Sequence, residues 1–297
     1  NIAKEDAYTL ALFAQDEIKL LRNLQALIGV RYIYHENFKN HATPNVALMY
    51  KPGKFNFRAS YAAGFRTPTL SELYATDIAK KNDRLTIGNL DLKPEKNNYF
   101  SLSAEYVHER FSVSVNAFYN NIRDMIDYNT IATGDKAMEQ YGHKEVRQRD
   151  NIAEAKVHGI NVSANAYLGA GFNLSGGYTH LNTQDVELEQ PIDKSIKNAY
   201  NINAQWAHSW KIYRLNINLN GRINSKRFSK SYGYAPEYQL WDLNTRHSFN
   251  LKSVIIEPGC GMENLFDYMD DRPYNSNYAT LTPGRSFYIS LSLKFKS

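Results

Sequence analysis

The 297-residue sequence contains a single cysteine, Cys260, so no intrachain disulfide can form and cysteine usage says nothing about redox compartment. Cys260 itself reads as a small core residue. No run approaches the roughly 18 apolar residues that a membrane-crossing helix needs, so a membrane role survives only through a β-barrel, whose apolar face is hidden in alternation. Charge of one sign is also scarce: 35 Lys and Arg against 30 Asp and Glu leave a formal charge of +5, with no basic block dense enough for nucleic acid. The catalytic signatures are missing as well. There is no Gly-x-Ser-x-Gly elbow, no His-Glu-x-x-His, no phosphate loop and no dinucleotide fingerprint, so the expectation is a non-enzyme with no catalytic residue and no cofactor. Asp267, Asp270 and Asp271 lack the calcium-loop spacing and read as a solvated acidic loop, so no metal site is expected. Asn1 opens onto Asp6, Tyr8 and Leu10 with no charged and apolar leader, which suggests a removed signal or a fragment.

What is present is β-forming composition. Aromatic residues reach 13%, led by 22 Tyr, while 43% apolar and 22% charged content exclude general disorder. The periodicity is two. Leu215, Ile217 and Leu219 alternate with Asn216, Asn218 and Asn220, and Phe111, Val113, Val115, Ala117 and Tyr119 with Ser112, Ser114, Asn116 and Asn120. Ile160 to Leu168 and Phe287 to Phe295 repeat the pattern. The reading gives about thirteen strands, several of ten residues or more, and no substantial amphipathic helix.

The connections alternate between short and long. Short ones fall near Leu21–Leu24, Pro52–Lys54, His108–Arg110, Gly169–Gly171, Ser209–Lys211 and Leu251–Ser253. Long ones fall near Phe38–Pro44, Thr67–Asn97, Ile131–Asn151, Leu188–Ile196, Ser229–Pro236 and Phe266–Gly284. Long strands with tight turns at one end and extended loops at the other predict an all-β, antiparallel transmembrane β-barrel of the outer membrane. Tyr106, Tyr167, Trp206, Trp210, Tyr213 and Trp241 suit its interfacial girdles. A β-sandwich is the competing class. Its strands are typically about five or six residues long, shorter than these, and it has no reason to segregate its loops.

Specific strings then become readable. Ala63-Gly64-Phe65-Arg66-Thr67-Pro68-Thr69-Leu70-Ser71-Glu72-Leu73-Tyr74 leaves a strand for a long loop, and Gly88-Asn89-Leu90-Asp91-Leu92-Lys93-Pro94-Glu95 returns from it. Val157-His158-Gly159-Ile160-Asn161 opens a strand. Glu263-Asn264-Leu265-Phe266-Asp267, Arg272-Pro273-Tyr274 and Pro283-Gly284-Arg285-Ser286-Phe287 end the series. In this order they resemble the C-terminal part of a TonB-dependent outer-membrane receptor. Leu90 stands where that family usually has Pro, and Asn161 where an acidic residue is common. Phe295 resembles its near-terminal aromatic, followed here by Lys296 and Ser297.

The resemblance implies that residues 1–297 are the C-terminal portion of a transmembrane barrel of about 22 strands, with the plug domain and the energy-coupling box outside this chain. It implies a bacterial outer-membrane location and uptake of a scarce large ligand, a ferric siderophore first. Heme, cobalamin and a glycan-binding surface sandwich are the alternatives. Expected partners are an iron chelate, outer-membrane lipid and lipopolysaccharide, and a TonB-type energising complex acting through the N-terminal region. Nucleic acid is not expected. Ligand-binding candidates are Arg66, Tyr74, Tyr141, His143, Arg147 and Arg149, cationic and aromatic groups suited to an anionic aromatic chelate. Thr67 to Gly88 contains no His of the kind heme-uptake relatives carry there; His143 lies one loop later. Pro68 and Pro94 are expected to punctuate strand ends, and Gly159 to mark a bulge or a close backbone approach.

Overall fold

A computed structural model describes residues 6–229, 233–270 and 282–296. The elements in chain order are β1 (Thr9–Leu21), β2 (Leu24–His35), β3 (Lys39–Tyr50), β4 (Phe55–Arg66), α1 (Leu70–Tyr74), β5 (Thr76–Ala79), β6 (Arg84–Ile87), β7 (Glu95–Val107), β8 (Phe111–Thr133), α2 (Gly134–Tyr141), β9 (Glu145–Gly169), β10 (Phe172–Asp185), β11 (Asn198–Trp210), β12 (Tyr213–Asn224), β13 (Arg227–Ser229), β14 (Gly233–Ala235), β15 (Tyr238–Asn250), β16 (Val254–Glu263) and β17 (Ser286–Phe295). Thirteen of these strands form one continuous path, β1-β2-β3-β4-β7-β8-β9-β10-β11-β12-β15-β16-β17. Every neighbouring pair on it is antiparallel. The expected strand number and pairing sense are therefore observed, in an open sheet with β1 and β17 at its edges.

Register assigns the side chains to two chemically distinct faces, because residues opposite one another share a face. One row runs Leu48, Ala59, Leu102, Ala117, Ile160 and a neighbouring row Val46, Tyr61, Phe100, Tyr119. Further along, Trp206, Ile217, Thr245, Cys260 and Ile289 stand in line. Between these rows lie the amides: Gln205, Asn218 and Asn244 align, and Asn203 Nδ2 donates to Asn218 at 2.7 Å and to Asn220 at 2.6 Å.

Exposure is inverted relative to a soluble protein. On β8, Phe111, Val113, Val115 and Tyr119 are exposed, whereas Ser112, Ser114, Asn116 and Asn120 are half-buried. On β17, Phe287 and Ile289 are 70% and 88% exposed. Among the described residues no second layer covers the apolar rows. The buried core is confined to the loop end, where Leu73, Leu92 and Ile126 cluster with Phe38 against them. Cys260 is exposed on the apolar face, its Sγ 3.1 Å from Thr245 Oγ1, and so is not a core residue.

The loops differ from expectation in two places. The chain from Phe38 to Pro44 is not a loop: β2 and β3 are joined across residues 36–38, and Pro44 sits in β3 opposite Val30. Pro is tolerated there because the β3–β4 ladder ends at Asn45↔Ala62, one residue before it, so no hydrogen bond is lost on that side. The stretch from Ile131 to Asn151 is also largely regular: β8 runs on to Thr133, α2 follows, and β9 starts at Glu145. At 23 and 25 residues these two strands far exceed the roughly 9–11 that cross a bilayer, so the hairpin projects from the sheet.

The remaining punctuation follows expectation. Pro68, two residues past β4, and Pro94, immediately before β7, bracket the β4–β7 connection. Gly159 marks a close approach without a register shift: a Cβ there would lie 2.2 Å from the His180 carbonyl oxygen, with the Phe118 ring 3.1 Å away. The string from Val157 lies inside β9 and does not open it. Near the short turns Phe55, Tyr106 and Phe111 make a chain of ring contacts, as do Phe172, Trp206, Trp210, Tyr213 and Phe249. Trp241 lies at the other end of the sheet against Phe266. Arg272-Pro273-Tyr274 and Asp271 lie outside the described residues.

Candidate functional site

The family-like strings turn out to build the loop end of the sheet. Thr69 caps α1 with a reciprocal box: its side chain accepts from the Glu72 backbone N–H, and Glu72 accepts from the Thr69 N–H. Glu72 also receives Arg66, whose Nη1 lies 2.9 Å from Oε2, and Arg66 reaches Glu95 through Nη2 at 2.6 Å and Nε at 2.7 Å. Arg66 is therefore committed to two carboxylates. The returning segment packs on α1, with Gly88 N–H donating to the Ala75 carbonyl and Asn89 N–H to that of Glu72. Only glycine fits at 88, since a Cβ would sit 2.4 Å from the Leu73 carbonyl oxygen.

This loop is joined to the projecting hairpin. Strand β6 adds to β9 in parallel, placing Arg84 opposite Glu145 and Thr86 opposite Arg147. The Lys144 N–H donates to the Asp83 carbonyl, and His143 Nδ1 lies 2.8 Å from Asp83 Oδ1. The hydrogen bond with His143 holds the Asp83 carboxyl below the usual carboxylate range. Val146 of β9 and Ala137 of α2 are fully buried, which fastens the helix to the hairpin.

Arg147 and Arg149 alternate with Val146 and so lie on the opposite face of β9. Arg147 Nε contacts Glu145 Oε1 at 2.6 Å. Arg149 stacks on Tyr128, its guanidinium carbon 3.6 Å from the ring centroid and its Nη2 2.5 Å from the hydroxyl. No carboxylate pairs with Arg149 among the described residues. Tyr74 and Tyr141 are exposed at the ends of α1 and α2. The structure thus brings His143, Arg147 and Arg149 onto one hairpin tied to the 67–94 loop, and places Arg66 in a framework role. Tyr128 and Asp83 escaped the sequence reading; only the cross-strand register Tyr128↔Arg149 reveals the first.

Residues 1–265 match the family described as TonB dependent receptor-like, beta-barrel. The chain belongs to the TonB-dependent receptor family. Similar solved structures include the ferric enterobactin receptor PfeA of Pseudomonas aeruginosa, in a G324V mutant, at 21% identity and TM-score 0.78, covering 98% of this chain and 45% of that one. The siderophore receptor PirA of Acinetobacter baumannii matches at 17% identity and TM-score 0.76, covering 99% and 47%. The copper transporter OprC matches at 12% identity and TM-score 0.73, covering 98% and 48%. At these identities the likeness shows the fold alone, and the chain spans just under half the length of each. TonB-dependent receptors are outer-membrane transporters rather than enzymes, and these thirteen strands correspond to barrel wall.

The same loop end holds a second family-like constellation. Asn264, 4% exposed, donates to the carbonyls of Tyr268 and Pro283 and accepts from the Tyr268 N–H, while its own N–H donates to Asp242. Asp267 accepts from the Arg285 N–H. The strings at 263–267 and 283–287 thus staple the exit from β16 to the entry of β17.

Proposed function

We propose that residues 1–297 form the C-terminal part of the membrane-spanning wall of an energy-coupled outer-membrane receptor that imports a ferric siderophore. The apolar rows face lipid and the amide rows face the lumen. A plug domain upstream of this chain fills the lumen and is pulled by a TonB-type complex. The observation that carries the ligand class is Arg149 on Tyr128: a guanidinium with no carboxylate partner among the described residues, lying on an aromatic ring at the loop end, suits an anionic aromatic chelate. Among the described residues no three His, Cys, Asp or Glu side chains converge, so the surface favours a chelate over a bare ion. His143 is used to join the loops, which weighs against heme.

The test is binding of ferric enterobactin to the complete receptor. Arg149→Ala should weaken it about tenfold, the loss of roughly one charge-assisted hydrogen bond, with assembly intact. Unchanged affinity in a folded receptor would move the ligand elsewhere.

A further inference from the structure

The net charge of the chain is confined to one end of the sheet. The six short connections, residues 22–23, 51–54, 108–110, 170–171, 211–212 and 251–253, carry Arg22, Lys51, Lys54, Arg110, Lys211 and Lys252 against one acid, Glu109. Removing these six cations and one acid from 35 Lys and Arg and 30 Asp and Glu leaves 29 of each. The short turns therefore hold the whole formal charge of +5. All six cations are exposed, and none forms an ion pair among the described residues. The excess continues onto the amide face. Arg22 and Lys51 line a cleft of about 400 Å³ with Asn23, Gln25 and Gly53. Gln25 stands in a row with Met49, Arg58, Ser103 and Asn116, and Arg214 lies opposite Ser209 and Ser248, all on that face. Neither Arg58 nor Arg214 has a carboxylate partner among the described residues, whereas Glu105 and Glu257 on the same face are held by Asn56 at 2.8 Å and Lys294 at 2.7 Å. Nearer the loop end the face is neutral: from Ser112 to Asn120 on β8, and opposite them on β9, β10 and β11, it carries no charged side chain.

We propose that the short-turn rim is an exit site for an anionic cargo, drawing a negatively charged chelate along the neutral amide wall and holding it at the mouth before release. The inference rests on the import reading above and gives that cargo a destination as well as a sign. Charge complementarity selects an anion. The opening of the Arg22 and Lys51 cleft onto the amide face selects a solute in the lumen over a lipid, which meets the apolar face. A channel wall with one sign of unpaired charge concentrates counter-charged solutes. Salt limits the reach of each cation to about 10 Å, so the turns act on what stands at the rim and not on the distant loop end.

The test reads the local potential by thiol chemistry and the cargo role by uptake, both in the complete receptor. Asn23→Cys in a Cys260→Ser background is treated with two methanethiosulfonates of similar size, one bearing a sulfonate and one a trimethylammonium group. Relative to free cysteine, the sulfonate reagent should react faster. Arg22→Gln with Lys51→Gln should lower that rate ratio about fourfold, and Arg22→Lys with Lys51→Arg should preserve it. Lys252→Gln, many strands away, should leave it unchanged. In energised cells, Gln at all six turn cations should slow uptake of ferric enterobactin several-fold while surface binding stays at the wild-type level. If that variant fails to assemble, Arg22→Gln with Lys51→Gln, checked by heat-dependent gel mobility, carries the uptake measurement. A rate ratio unchanged by neutralisation overturns the positive rim. A lowered ratio with wild-type uptake overturns the cargo role and assigns the charge to another anion, a lipid headgroup or an acidic protein. A wild-type receptor that binds no ferric enterobactin overturns the siderophore reading; a sulfonate preference there still supports a rim that draws anions, and its absence overturns the rim as well.

Discussion

Arg66 and Glu95, 29 positions apart, meet through two hydrogen bonds of 2.6 and 2.7 Å across the mouth of the longest described loop. Glu72 completes the clasp from the α1 side, at 2.9 Å. The three residues come from the two strings that flank the loop, which gives those strings a structural reason: they close the loop on itself and hand α1 to the hairpin.

Removing one partner should loosen the loop and spare the barrel. Arg66 is 42% exposed, so screening reduces the contribution of the pair to about 1 kcal/mol. Glu95→Gln in the complete receptor should speed proteolysis within residues 67–94 several-fold, read by mass spectrometry, with unchanged heat-dependent gel mobility. Wild-type cleavage rates would assign the clasp no anchoring role.

Acid should act on the same clasp. Burial alone would raise the Glu72 and Glu95 carboxyls, but hydrogen bonds from Arg66, with the Thr69 and Ile126 N–H groups, outweigh it and hold both below the ordinary range. A carboxylate whose folded value is depressed contributes fully above its unfolded value, about 4.3 for Glu, and its contribution is lost as pH falls through the folded value. Loop proteolysis by an acid-active protease should therefore stay flat from neutral pH to about pH 5 and rise below about pH 4. In Glu95→Gln the rise should shrink, and an unchanged rise in that variant would remove the clasp as its cause.

The parts of this arrangement that were legible in the sequence are those with a local signature. Alternation from Phe111 to Tyr119 fixes both the strand and its face, since period two needs no knowledge of neighbours. Pro68 and Pro94 mark strand ends for an equally local reason. The partnership of Tyr128 with Arg149 was not legible, because it depends on a register that shifts at Ile122/Met125 and again beyond it. The parallel addition of β6 to β9 was hidden for the same reason. At Phe38–Pro44 the structure departs from expectation because a Pro is ordinarily excluded from a strand interior, and only the end of the β3–β4 ladder shows that no bond to β4 is lost there.

Asn264 offers a test of the second staple. It is buried, makes three side-chain hydrogen bonds and adopts φ +51°, a conformation that Asn tolerates better than Ala. Asn264→Ala loses the bonds and adds strain, for a destabilisation of about 2–3 kcal/mol at this corner. Asn264→Gly relieves the strain but not the bonds. Thermal unfolding in detergent should rank wild type above the Gly variant and the Gly variant above Ala. If Gly ranked below Ala, backbone strain would not be part of the cost.

The assignment of faces yields the most direct test of the membrane reading. Ile217 lies in the row of Trp206, Thr245 and Cys260, and Asn218 in the row of Gln205 and Asn244, so adjacent residues on β12 face opposite sides at nearly the same depth. Arg on a lipid-facing position near the bilayer midplane costs about 2–4 kcal/mol, whereas a lumen position hydrates the charge. In the complete receptor Ile217→Arg should cut the yield of heat-modifiable, surface-exposed protein strongly, and Asn218→Arg should leave most of it. A soluble core would also reject Arg at Ile217, so assembly alone does not decide. A bilayer-confined photoreactive lipid does: it should label Cys in Ile217→Cys and spare Cys in Asn218→Cys, both made in a Cys260→Ser background because Cys260 shares the apolar face. Labelling of neither position in folded protein would put Ile217 against protein and remove this strand from the membrane.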